Sequence, residues 1–222
     1  MRNGGHGAGG ASRGTAGRPV RRVRVREMAE ADIDAVSAVR IGGWRTAYRG
    51  LMPQAYLDAL SVPEDARLRR ERFARRRPEV WELVADRDGE VAGWLAVGPA
   101  EDPGTAPAQD PGTTPAEDPR TVPDGAESRG AAPGSRLPVA ELMALYVAPD
   151  LIGTGIGRTL LDAGTARARA HGYGAMSLWV VRGNARAERF YRRAGFAPDG
   201  AVAMSDVAGW RVPEDRYRRR LA

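Results

Sequence analysis

The sequence predicts a single α/β domain built on a sheet of about seven strands, with helices on both faces. Three observations carry that reading. Between residues 141 and 196 an apolar run, a glycine turn, a helix-period segment and a second apolar run follow one another, which is the succession of a strand–helix–strand unit. Two short strand-like runs separated by Asp86-Arg87-Asp88-Gly89-Glu90 read as a hairpin. In a chain of 222 residues, 42% hydrophobic side chains suffice for one core.

Residues 1–19 are rich in glycine and arginine with almost nothing apolar to bury, so they read as a disordered leader to a domain spanning 20–222; His6 falls in it. Residues 20–26 alternate valine with arginine, as a strand with one wet face should. Asp32 can cap a helix whose apolar positions are Ile33, Val36, Val39 and Ile41, and Gly42-Gly43 should loosen it before Trp44 and Tyr48. A short helix is expected from Pro53 to Leu60, and a charged one from Pro63 to about Arg77. The hairpin strands are 80–85 and 91–97.

Composition then changes. Residues 100–123 hold AEDPGTAP, AQDPGTTP and AEDPRTVP, near copies of one octad, within a proline-, alanine- and aspartate-rich insertion over 99–137. Proline in every copy opposes helix and sheet, so the insertion reads as a disordered loop between strands. Residues 142–147 form the next strand, followed by the turn Gly153-Thr154-Gly155-Ile156-Gly157. From there Ile156, Leu160, Ala163 and Ala168 recur at helical spacing, and the helix should stop at His171-Gly172. Residues 176–181 are a second buried strand. Asn184 caps a helix ending at Gly195, with Ala187, Phe190, Tyr191 and Ala194 turned inward. Residues 201–205 and 215–221 flank a turn at Ala208-Gly209 as the last strands, with Arg216, Arg218, Arg219 and Arg220 on the solvated side and edge of the final one.

Composition limits the chemistry. The absence of cysteine excludes disulfides, thiolate metal sites and a cysteine-borne acyl intermediate, and no metal site is indicated. No apolar run is long enough to span a membrane and no apolar signal core stands at the N-terminus, so the expected location is cytoplasmic. The net charge of +6 raises a nucleic-acid reading, but 28 acidic residues are mixed among the 34 basic ones, the pattern of a solvated surface. All the basic residues counted there are arginine, so the chain has no lysine side chain of its own to modify.

The glycine turn is the first candidate site. Glycines there let backbone approach a ligand closely, and the free N–H groups of Gly153 to Arg158 at a helix start suit a phosphate or pyrophosphate. A plain helix start is the alternative. A P-loop would need Gly-Lys-Ser/Thr, and a dinucleotide fingerprint would need glycine where Arg158 stands; neither fits.

Asn184, Ala187, Phe190, Tyr191, Gly195 and Phe196 match an Asn-x-x-Ala-x-x-Phe-Tyr-x-x-x-Gly-Phe pattern, and Gly155 and Gly157 match a Gln/Arg-x-x-Gly-x-Gly/Ala signature, with Ile152 in place of its polar residue. At these positions the chain resembles the GNAT superfamily of N-acetyltransferases. The resemblance implies the acyl-CoA N-acyltransferase fold: a mixed, mostly antiparallel sheet whose fourth and fifth strands splay to admit acetyl-CoA. It implies direct transfer of acetyl to a primary amine of a small molecule or peptide. Leu145, Tyr146 and Val147 would then meet the acetyl and pantetheine arm through their backbone, and Gly153, Thr154, Gly155, Ile156, Gly157 and Arg158 the pyrophosphate. Asn184 and Tyr191 would border the thiol end, with Ile152 removing one polar contact.

Tyr191 suits the acid for the departing thiolate, since a phenol's reference pKa near 10 is close to a thiol's; a packing aromatic is the other reading. Glu141 heads the strand where some family members carry an acidic base, and a solvent-facing strand end is its alternative. Trp44 and Tyr48 lie where the family has its acceptor site, and packing under a helical lid is the alternative. A homodimer stays open. Two rival classes remain: a catalytically silent CoA-binding or sensing module, and an arginine-driven nucleic-acid binder, which would show steep salt dependence.

Overall fold

The computed structural model describes residues 23–100 and 138–221. The leader, residues 20–22 of the first expected strand and nearly all of the octad insertion lie outside the described residues. Seven strands form one sheet in the order β1-β2-β3-β4-β5-β7-β6. They are β1 (Val23–Glu27), β2 (Trp81–Arg87), β3 (Glu90–Pro99), β4 (Val139–Val147), β5 (Ala175–Val181), β6 (Ala197–Val207) and β7 (Trp210–Arg220). Every neighbouring pair is antiparallel except β4 with β5, which is parallel. The α-helices are α1 (Ile33–Ala47), α2 (Gln54–Ala59), α3 (Val62–Ala74), α4 (Ile156–Ala170) and α5 (Ala185–Arg193). Among the described residues, no helix is long and apolar enough to cross a membrane.

Strand alternation sorts the core into two layers. Leu83, Ala85, Leu95 and Val97 pack with Ile156, Leu160 and Leu161 of α4 on one face. Val84, Trp94 and Ala96 pack with Ile33 and Val36 of α1 and Ala66 of α3 on the other. A third cluster continues that second face toward β5–β7, joining Trp44, Met52 and Leu57 to Val181, Val207 and Val212. The register of β3 against β4 shifts between Ala96 and Val97, so Met143 has no partner on β3. Beyond this bulge the faces exchange: Ala140 and Leu142 before it, and Leu145 and Val147 after it, all turn to the α4 side.

Four expectations are corrected. First, α1 runs unbroken through Gly42-Gly43. These glycines instead permit close approach to β4, because a methyl on Gly43 would lie 2.8 Å from the Tyr146 ring and one on Gly42 3.1 Å from Pro149. Second, Asp32 does not cap the first turn of α1. It closes the preceding 3-10 turn, accepting from Ala29 N–H at 2.8 Å and from both terminal nitrogens of Arg26 at 2.6 and 2.8 Å. Third, β6 and β7 are longer than expected, starting at Ala197 and Trp210. Fourth, β7 is an inner strand and β6 the edge, so the arginines of β7 divide. Arg218 and Arg220 are exposed. Arg219 is drawn inward, donating to Ala194 O at 2.6 Å and Thr165 Oγ1 at 2.7 Å, and Arg216 donates to Asp199 at 2.8 Å.

Candidate active site

The parallel pair β4–β5 is in register only at Val139–Glu141 against Ala175–Ser177. Past those rungs the strands part, leaving a notch between Leu142–Val147 and Leu178–Val181 in which backbone groups on the facing edges have no ladder partner. Two neighbouring strands that separate inside a continuous sheet make room for an extended ligand, with main-chain donors and acceptors along it.

At the open end, β4 passes through a 3-10 turn at Pro149–Leu151 into the glycine turn. Gly155 has φ +94°, a backbone conformation that L side chains adopt only with strain, and this directs the chain into α4. The first bond of the helix runs from Thr159 N–H to Gly155 O at 3.0 Å. Helix geometry therefore leaves the amides of Gly155, Ile156, Gly157 and Arg158 without intrahelical acceptors at the positive end of the dipole. The other residues of the turn do different work. Thr154 directs its hydroxyl (2.7 Å) and its N–H (3.3 Å) to Leu151 O and so shapes the turn. Ile156 is buried and anchors the helix start to the sheet. The exposed Arg158 side chain is held by Asp162 at 2.9 Å. Ile152 is 39% exposed at the rim.

The notch is flanked from the α4 side by α5. A methyl on Gly157 would lie 3.5 Å from Val147, 3.6 Å from Leu145 and 3.6 Å from Phe190, so β4, α4 and α5 converge there. Asn184 caps α5 by accepting from Ala187 N–H at 3.1 Å. Tyr191 stands edge-on to Phe190, with ring centroids 5.0 Å apart. Burial, and after it the nearby Tyr48 phenol, hold the Tyr191 phenol above its ordinary pKa. Tyr48 follows the last residue of α1, on the opposite face of the sheet, so its influence on Tyr191 acts across the notch. A cavity of about 220 Å³ opens between the end of α1 and the residues after it (Thr46, Arg49, Leu51) and the start of α5 (Asn184, Arg186).

Glu141 sits at the closed end of the notch, 5% exposed, opposite Gly98 on β3 and Ser177 on β5. Alternation with Ala140 and Leu142 turns it to the α1 side. It is therefore buried rather than at a solvent-facing strand end. On that side Tyr146 stacks on Trp94 at 6.2 Å, and Trp44 stands 5.0 Å from Tyr48 and 6.1 Å from Tyr56. Trp44 is 5% exposed and packs as core, whereas Tyr48 and Tyr56 are half-buried. His171 packs on Trp81 at 4.2 Å, at the far end of α4 from the turn.

The structure thus gathers Leu145–Val147, the glycine turn, Asn184 and Tyr191 around the notch, with Glu141 at its base and Trp44 and Tyr48 on its α1 side. Sequence reading overlooked two groups on this face. Ser177, buried next to Glu141, sits in an otherwise apolar run. Glu214 fell in a segment read as turn because the last strand was started at Asp215; its period-2 spacing from Val212 was the available signal.

The family profile described as Acetyltransferase (GNAT) family matches residues 44–196. An uncharacterized N-acetyltransferase of Bacillus subtilis is 25% identical over 193 residues, 86% of this chain and 90% of that protein. A mycothiol acetyltransferase of Propionibacterium freudenreichii is 43% identical over 70 residues, a stretch covering 32% of this chain and only 21% of that protein. Among solved structures, the PaiA N-acetyltransferase of Thermoplasma acidophilum in complex with coenzyme A shares the fold at a TM-score of 0.58 and 17% identity, over 90% of this chain and 99% of that one. A Salmonella typhimurium acetyltransferase with acetyl-CoA shares it at a TM-score of 0.54 and 18% identity, over 90% of this chain and 94% of that one. With the profile matched over more than half of its length, the chain belongs to the Acetyltransferase (GNAT) family.

Proposed function

We propose that this chain is an acetyl-CoA-dependent N-acetyltransferase that moves acetyl directly to a primary amine. The observation that carries the reading is the β4–β5 notch leading to the glycine turn at the start of α4. The residues fit the ligand: free first-turn amides suit its pyrophosphate, and the notch edge of Leu145–Val147 offers backbone to an amide-bearing arm. Related proteins carrying acetyltransferase names support acetyl as the group moved.

Acetyl-CoA, when bound, supplies an activated thioester. Tyr191, kept neutral by its surroundings, donates its phenolic proton toward the departing sulfur. Asn184 fixes the start of α5 and with it the position of Tyr191. Glu141 takes the proton released by the amine, directly or through water. The absence of cysteine from the chain excludes an acyl intermediate on a cysteine, in keeping with direct attack by the amine.

The test is calorimetric titration with acetyl-CoA, with CoA and ATP as controls. Micromolar binding that favours acetyl-CoA or CoA over ATP is expected; no binding, or equal binding of ATP, would overturn the reading. One observation favours a second reading, a CoA-binding module without turnover: Ile152 puts an exposed apolar side chain where the family signature has a polar one. Thiol release that depends on added amine separates the two.

A further inference from the structure

Glu214 is a carboxylate on the acceptor side of the notch that the family motifs do not include. It lies on β7 opposite Val181 of β5 and Ala203 of β6. Residues directly opposite in antiparallel pairs share a face, so Glu214 shares that of Val181, and alternation along β7 adds Val212. Val181 and Val212 both pack into the cluster containing Trp44, against which Tyr48 and Tyr56 rest. The half-buried Glu214 side chain therefore lies on the sheet face that this aromatic cluster covers.

Its partner there is neutral: Ser205 Oγ donates to Oε2 at 2.5 Å. The cation two residues along the same face, Arg216, is engaged with Asp199. Arg182 is engaged with Asp215, which alternates to the opposite face. By contrast, the buried aspartates Asp32 and Asp65 each meet an arginine, at 2.6 and 2.8 Å. Burial, opposed in part by the Ser205 bond, raises the Glu214 carboxyl above its ordinary pKa, as expected for a carboxylate taken from water without a counter-ion. Half-buried tyrosine rings and an uncompensated carboxylate together make an environment for an organic ammonium.

Attack on a thioester requires a neutral amine, so an ammonium held as such cannot be the group acetylated. Resting on the N-acetyltransferase reading, we infer that Glu214, with Tyr48 and Tyr56, holds a second positive charge of the acceptor, which makes the substrate class diamines and polyamines. The free amine of such a molecule is then presented to the notch while its charged end is fixed at β7.

The experiment uses the full chain and follows thiol release with spermidine, putrescine and, as a one-amine control, butylamine. The wild type should use spermidine or putrescine at least about 10-fold more efficiently (kcat/KM) than butylamine. Glu214→Gln should raise the KM for the favoured polyamine about 10- to 100-fold while the KM for acetyl-CoA stays in place, and Glu214→Asp, which keeps the charge, should recover part of the loss. An unchanged polyamine KM in Glu214→Gln, or a wild type indifferent to the second amine, overturns the inference. Thermal melting of each variant separates a binding defect from a folding defect. Calorimetry with spermidine alone reads the Glu214 contact without turnover. Spermidine binding that Glu214→Gln abolishes, in a protein that does not bind acetyl-CoA, would sink the transferase reading and keep this site; acetyl-CoA binding without it would do the reverse.

Discussion

Tyr191 is held as a neutral phenol by burial and by the neighbouring Tyr48. A phenol whose pKa is raised loses its proton only above the ordinary value near 10, so it can donate throughout the neutral and mildly alkaline range. Tyr191→Phe should lower kcat by about 100- to 1,000-fold, the usual worth of a positioned acid, with acetyl-CoA affinity nearly unchanged. The wild-type pH profile should carry no Tyr191 limb below about pH 10. A limb near pH 9 that vanishes in Tyr191→Phe, or an unchanged kcat, would remove Tyr191 from the mechanism. This residue was legible in the sequence as a motif position, but its protonation was not. That property depends on α1 delivering Tyr48 to the far side of the notch, a long-range consequence of the fold.

At the scale of elements, the glycine turn and the β3–β4 connection lead to separate expectations. Gly155→Ala forces a side chain onto φ +94°, costing about 1 to 2 kcal/mol of stability, and disturbs the amides at the start of α4. Weaker acetyl-CoA binding than the melting shift explains is expected by calorimetry; unchanged affinity would separate the turn from the cofactor. The insertion leaves β3 and returns to β4 at adjacent points: Pro99 pairs with Ala140, and Ala100 N–H donates to Val139 O at 2.9 Å. A few residues can span that gap, so replacing 101–137 by a short turn should give a folded protein with a cooperative melt. Failure of that variant to fold would show that the segment does more than connect. Local pattern located almost every strand and helix, because apolar period and capping residues act over a few positions. It misjudged Gly42-Gly43, where packing of α1 on Tyr146 and Pro149 overrides helix propensity. It also placed β7 at the edge, since strand order is set by pairings between distant segments.

For the molecule as a whole, the α1–α3 layer is fastened by charge as well as by apolar contact. Asp65 of α3 meets Arg40 of α1 at 2.8 Å and Arg69 at 3.6 Å, all nearly inaccessible, and Arg69 also lies 4.2 Å over Trp94 of β3. Asp65→Ala leaves buried cations without the carboxylate they share, which should cost about 3 to 5 kcal/mol by denaturant unfolding. A loss under about 1 kcal/mol would mean that water reaches the cluster and screens it. None of the three residues stood out in the sequence, because a buried ion pair between helices has no local spacing to mark it.

The three-rung pairing of β4 with β5 also makes the sheet two plates, β1–β4 and β5–β7, joined along a short seam. A molecule lying in the notch would bond to both plates at once, as a splint does, and turn a compliant joint into a rigid one. The ligand then contributes to the mechanics of the fold, and amides along the parted edges should exchange with solvent as a group in its absence and slow together when it binds.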